Sequence, residues 1–152
     1  CPGLIEFAGV GRRFEILRED AELVVVNDYA HHPTEIAATI AAARERYDDR
    51  RLLVIFQPHT YSRTRALLDD FARALDGADE VVLAEIYAAR ETDALGVSAA
   101  SIAERMAAPV VTAGSPQEAA RIAAERLLPG DVALVLGAGD IYRTAELLSE
   151  GS

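Results

Sequence analysis

A chain of 152 residues, 51% of them hydrophobic, is long enough to bury a core of its own, and no apolar run approaches the ~20 residues of a membrane span. The formal net charge of −10 argues against nucleic-acid binding by phosphate neutralisation, and all 15 basic residues are arginine. Without lysine the chain has no P-loop lysine, no Schiff base and no lysine general base, and its single cysteine, Cys1, excludes an internal disulfide and suits a reducing cytoplasm.

The opening CPGLIEFAGV lacks both a signal-peptide pattern and an initiator methionine. We expect a piece of a longer protein, with residues 1–8 the tail of a linker. RRFEIL (12–17) reads as a strand, joined through a turn at Glu19-Asp20 to a second strand, LVVVND (23–28). The run VVV does not alternate, which suggests burial on both faces. Pro33 then opens a helix, with Glu35 in its first turn and Ile36, Ile40, Ala43 and Tyr47 along one face. RLLVIFQ (51–57) is another buried strand. A helix from near Ser62 follows, turning Leu67, Leu68, Phe71 and Leu75 inward.

EVVLAEIY (80–87) is the next strand, and a loop leads from it to a short helix capped by Ser98. APVVTA (108–113) precedes SPQE (115–118), a capping box with proline at the first helical position, whose helix runs to Leu128 before Pro129-Gly130. DVALVLG (131–137) is the last strand, and a terminal helix follows with Asp140 as its cap. Strands alternating with helices predict an α/β fold: a three-layer Rossmann-like domain with a mostly parallel six-stranded sheet. The short first turn makes the first strand an antiparallel edge strand.

Ligands bind such sheets beyond the carboxyl ends of the strands. NDYAHHP, QPHTYSR, EIYAARE and GAGD all fall there. His32 is either a helix cap or part of a site. His31 and His59 could pair on a metal, but they lack the additional ligands such sites carry, and we expect no metal site in the domain. Asp28 suits a ribose hydroxyl; the alternative is an anchor at the helix start. Arg63, near a helix start where a cation is disfavoured, is a candidate for a carboxylate or phosphate, whereas Arg65 suits a surface ion pair. GAGD is a weak dinucleotide fingerprint and equally a tight turn that lets backbone approach a neighbouring domain.

DYAHHPTEI, then FQPHTYSRT, EIYAARE and LGAGDI, in that order and after the prefix FAGVGRRFE, resemble the C-terminal domain of the Mur ligases. Within that family they resemble the branch that joins L-alanine to UDP-N-acetylmuramate. The resemblance covers essentially the whole chain, so that residues 1–152 form one such domain. It implies an ATP-dependent, Mg²⁺-supported amide ligase of peptidoglycan synthesis, cytoplasmic and acting through an acyl phosphate. It further implies partner central and N-terminal domains of the same enzyme, the central one carrying the P-loop and holding most of the ATP and Mg²⁺. Partners are then UDP-N-acetylmuramate and L-alanine, with no nucleic acid and no membrane.

Asp28 matches the acid that meets the ATP ribose, Tyr29 and His31 match positions lining the reacting centre, and Arg63 matches the arginine that holds the amino-acid carboxylate. His32 and His59 are supporting members of the motif, and no residue of this chain is implied to be catalytic. Departures are Thr60 where arginine is frequent, Asn27 where aspartate is common, and YAARE for Pro-Ala-Gly-Glu. The alternatives are a non-catalytic nucleotide-binding module and the related murein peptide ligase. By itself the chain is expected to be inactive.

Overall fold

The computed structural model describes residues 14–88, 92, 96–137 and 139–150. The linker tail expected over residues 1–8, most of the FAGVGRRFE prefix and residues 89–91 of YAARE lie outside them. Six strands form one sheet in the order β1-β2-β6-β3-β4-β5: β1 (Glu15–Glu19), β2 (Leu23–Asp28), β3 (Leu52–Phe56), β4 (Glu80–Ala84), β5 (Val110–Ala113) and β6 (Asp131–Leu136). All neighbours are parallel except β1 and β2. The three-layer Rossmann-like α/β architecture with its antiparallel edge strand is therefore as expected.

Burial follows the sequence pattern. In β3 and β6 every residue is buried, because helices cover both faces. Helices α1 (Pro33–Arg46), α3 (Leu68–Leu75) and α4 (Ala99–Ala103) pack Ile36, Ile40, Phe71, Leu75 and Ile102 on one face. Helices α5 (Pro116–Arg126) and α6 (Tyr142–Glu150) pack Ala119, Ala123, Ala145 and Leu148 on the other. Strand β1 alternates between exposed and half-buried residues, as an edge strand does, and its register slips between Ile16 and Arg18.

Several boundaries differ from expectation. Strand β1 runs on to Glu19, because the turn begins only at Asp20, whose Oδ1 accepts the N–H groups of Glu22 and Leu23 at 2.9 Å each. The single helix expected from Ser62 is two, α2 (Tyr61–Ala66) and α3, broken at Leu67 (φ −125°, ψ 25°). The Leu67 N–H is shared between the carbonyls of Arg63 and Thr64, so the last turn of α2 tightens and stops. Leu67 and Leu68 end half-buried against the core, while Phe71 and Leu75 are fully inside. Strand β4 ends at Ala84, three residues early, and Tyr87 returns only as an isolated parallel bridge to His59. Strand β5 begins at Val110 rather than at Ala108. Helix α5 stops at Arg126, short of the expected Leu128.

The sheet is pinned at the end opposite the expected site. Arg51 ties Asp131 (2.8 Å) to Glu80 (3.0 Å), and Arg126 also pairs with Glu80. Asp79 Oδ2 accepts the Leu52 N–H at 2.7 Å and Arg44 Nη1 at 2.9 Å. Burial pushes both the Asp79 and Glu80 carboxyls up, but these partners outweigh it and hold each below its ordinary value. Because β6 is inserted between β2 and β3, its exit lies between theirs, and this brings distant segments of sequence together.

Candidate functional site

Strand β2 delivers Asp28 to the carboxyl edge with its side chain turned to internal use. The residue is 3% exposed; Oδ1 accepts the Ala30 N–H at 2.8 Å and Oδ2 the Phe14 N–H at 2.7 Å. It therefore ties the start of β1 to the turn into α1, the anchoring alternative of the sequence reading. Phe14 has φ 45°, a conformation uncommon outside glycine, and the Asp28 bond helps to hold it.

The adjacent histidines do different work. His32 is the N-cap of α1: its Nδ1 accepts the Thr34 N–H at 3.2 Å, while Glu35 Oε1 accepts the N–H groups of His31 and His32, completing a capping box. His31 Nδ1 lies 3.1 Å from the Tyr29 carbonyl and 3.6 Å from Glu35 Oε1. A carbonyl only accepts, so the His31 proton is assigned to Nδ1, whereas His32 must carry its proton on Nε2.

A series of rings crosses the edge. Tyr29 meets His31 edge-on (centroids 5.6 Å apart), His31 meets His59 at 6.3 Å, and His59 stacks on Tyr87 at 5.6 Å with 20° between planes. It links the exits of β2, β3 and β4. Tyr29 and Tyr87 are both exposed although large and apolar. Among the described residues no three metal-ligating side chains converge, and His31 and His59 meet edge to ring.

The β3 exit is held by its neighbours. The Thr60 N–H donates to the Tyr87 carbonyl and the Tyr87 N–H to the Pro58 carbonyl, both at 2.8 Å. Thr60 has φ 67° and caps α2, its Oγ1 accepting the Arg63 N–H at 3.4 Å. Gln57, buried, donates Nε2 to Asp140 Oδ1 at 2.9 Å. That bond engages the carboxylate expected to cap α6, and α6 itself begins at Tyr142. The GAGD glycines serve close approach inside the domain: a Cβ on Gly137 (φ 150°) would lie 2.8 Å from Ile141 Cγ2, and one on Gly139 would lie 2.6 Å from Gln57 Oε1. Ala138 between them lies outside the described residues.

Arg63, on α2, is half-buried, and among the described residues its guanidinium meets no carboxylate within 4.0 Å. Eight other arginines, from Arg18 to Arg126, pair with acids. The surface ion pair expected for Arg65 is also missing among the described residues, because the nearby Asp69 is taken by Arg105 (3.0 Å) and Asp70 by Arg73 (2.7 Å). Tyr87, Gln57 and Asp140 lie in segments that the sequence places at this edge, but their order along the chain gives them no individual part in a site. Tyr87 carried a signal, an aromatic at the end of an apolar run; the Gln57–Asp140 pair joins residues 83 apart and carried none.

Residues 12–139 match the family model of the Mur ligase glutamate ligase domain. The chain belongs to the Mur ligase family. Over 149 residues this Mur ligase domain is 47% identical to the UDP-N-acetylmuramate–L-alanine ligase of Desulfitobacterium hafniense, covering 95% of the chain and 33% of that relative. The chain thus spans about a third of the relative's length. The crystal structure of the UDP-N-acetylmuramate–alanine ligase of Thermotoga maritima superposes with a TM-score of 0.75 at 29% identity, over 91% of this chain and 29% of that one. A murein peptide ligase from Psychrobacter arcticus shares the fold (TM-score 0.74, 22% identity, 93% of this chain and 30% of that one).

Proposed function

We propose that this Mur ligase domain is the C-terminal, closing domain of a cytoplasmic ATP-dependent ligase that joins L-alanine to UDP-N-acetylmuramate in peptidoglycan synthesis. The observation that carries the proposal is Arg63, a half-buried guanidinium with no acid partner among the described residues, beside a ring-lined edge in a domain similar to such ligases. In the reaction, ATP phosphorylates the sugar carboxylate, and the alanine amine attacks the acyl phosphate with loss of phosphate. Arg63 binds the alanine carboxylate and so aims the amine. Tyr29 and His31 line the place where amine and acyl phosphate meet. His32 and His59 support them, through the cap of α1 and the ring series.

Asp28 acts first through the turn that it holds, and its proposed role at the ATP ribose is added to that. Among the described residues no three His, Cys, Asp or Glu side chains converge into a group that could hold a metal ion. Mg²⁺ and most of the ATP belong, in this reading, to the central domain, which with the N-terminal domain is the chain's main partner. Without a P-loop lysine the chain alone is expected to form no product.

The test uses the full-length ligase and, separately, this chain. Loss of a charge-assisted contact worth about 1.5–3 kcal/mol should raise the KM for L-alanine roughly 10- to 150-fold in Arg63→Ala. The KM for ATP should stay within about twofold if that contact is made to the amino acid alone. Equal rises would show that Arg63 binds a different anion, and product formation by this chain alone would refute the division of labour.

A further inference from the structure

The proposed chemistry makes no use of Tyr87, yet three loops meet on it. Its ring stacks on His59. Gly139 lies against it so closely that a Cβ there would stand 2.7 Å from Tyr87 Cγ and 3.0 Å from its Cβ. Its backbone brackets the β3 exit, accepting from Thr60 and donating to Pro58. The ring is 38% exposed, so its place is not explained by core burial.

What Tyr87 holds leads on to Arg63. Thr60 sits at φ 67°, which a threonine keeps only where its surroundings enforce it. From that position its carbonyl accepts both the Thr64 N–H (3.3 Å) and Thr64 Oγ1 (2.7 Å), and its Oγ1 accepts the Arg63 N–H. The first turn of α2 is therefore built on Thr60. Helix α2 is only six residues long and separated from α3 by the break at Leu67, so its Thr60 end contributes a large share of what sets its direction.

We propose that Tyr87 is a positioning residue for amino-acid binding. Its ring, packed on His59 and against Gly139, holds the 57–60 loop and Thr60, and through them sets where α2 presents Arg63 to the substrate carboxylate. The inference rests on the reading of Arg63 as the carboxylate-binding group. The hydroxyl has no part in it: among the described residues it makes no hydrogen bond, and the side chain's share of the holding is the flat ring, added to the backbone bonds with Pro58 and Thr60.

In the full-length ligase, kcat and the KM values for L-alanine and ATP are measured for Arg63→Ala, Tyr87→Ala, Tyr87→Phe and the Arg63→Ala/Tyr87→Ala double variant, with thermal melting alongside. A misplacement of about 1 Å in a positioning group costs up to about a hundredfold, so Tyr87→Ala should raise the KM for L-alanine at least about tenfold and leave that for ATP within about twofold. Tyr87→Phe should restore wild-type KM, and in the Arg63→Ala background Tyr87→Ala should add nothing further. Tyr87→Leu, which keeps bulk without the flat ring, replaces the alanine variant if the latter melts below the assay temperature. An unchanged L-alanine KM in Tyr87→Ala, a rise of equal factor in both backgrounds, or a matching rise for ATP overturns the inference. Failure of the Arg63 reading shows separately, as a wild-type L-alanine KM in Arg63→Ala alone.

Discussion

Asp28→Asn removes one charge and almost no volume from a carboxylate that is 3% exposed and accepts two backbone N–H groups, from Phe14 and Ala30. In the variant the amide oxygen serves one of them, and the NH₂ group faces the other donor to donor. Loss of a charge-assisted bond costs about 1.5–3 kcal/mol, and a buried N–H left without an acceptor about 1–3 kcal/mol. The two overlap, because the same donor is counted in each, so the net cost is about 2–3 kcal/mol. For a domain of this size each kcal/mol is worth roughly 2–4 °C of melting temperature, so Tm should fall by roughly 4–12 °C. The assay is thermal unfolding of this chain without ligand, followed by far-UV circular dichroism, with amide exchange at Phe14 and Ala30 as the local readout. Both amides should exchange faster. An unchanged Tm with unchanged exchange would refute the anchoring role and leave the carboxylate available to a ribose.

The folded Asp79 and Glu80 carboxyls are held below their ordinary values. Their contribution is therefore complete above the unfolded carboxylate range, about 3.9–4.3, and is lost as pH falls through the lower folded values. The Tm deficit of Asp79→Asn should be largest at neutral pH and shrink as pH drops below about 4; a deficit constant across that range would contradict the assignment. Gly137→Ala should destabilise by about 1–3 kcal/mol, since the new methyl would stand 2.8 Å from Ile141 Cγ2 at φ 150°. Urea midpoints measure this cost, and a stability equal to wild type would show that the β6 exit can relax.

Continuous apolar runs made β2, β3 and β6 legible, because a strand buried on both faces needs no alternation. The cap residues were legible for a local reason: His32-Pro33 and Ser115-Pro116 announce helix starts within three residues of chain. The break between α2 and α3 was not, because Leu67 sits in an unbroken helical pattern and its carbonyl partners decide the stop. Sequence separated His32, a cap candidate, from His31, but not the neighbours that fix each ring, the Tyr29 carbonyl and the Thr34 N–H. The duty of Asp28 turned on Phe14, fourteen residues earlier and just ahead of β1. Residue types at the sheet edge could be read from their order along the chain, whereas their partners across loops could not.

The charge balance gives the edge its meaning. Acids outnumber bases by 25 to 15, so an unpaired arginine is not a matter of supply. Just beyond α2, Asp69 pairs with Arg105 and Asp70 with Arg73. Arg63, a half-buried residue with no carboxylate partner among the described residues, is left able to pair with an arriving anion. In the proposed enzyme this anion is the alanine carboxylate, which lies between this domain and its central partner. A ligand that binds Arg63 only when the domains meet over it must favour the closed state by its full difference in affinity between closed and open forms. In that proposed enzyme the domain would gain, on closing over substrate, the counter-ion that Arg63 lacks among the described residues, and the exposed rings of Tyr29 and Tyr87 lie on the same edge.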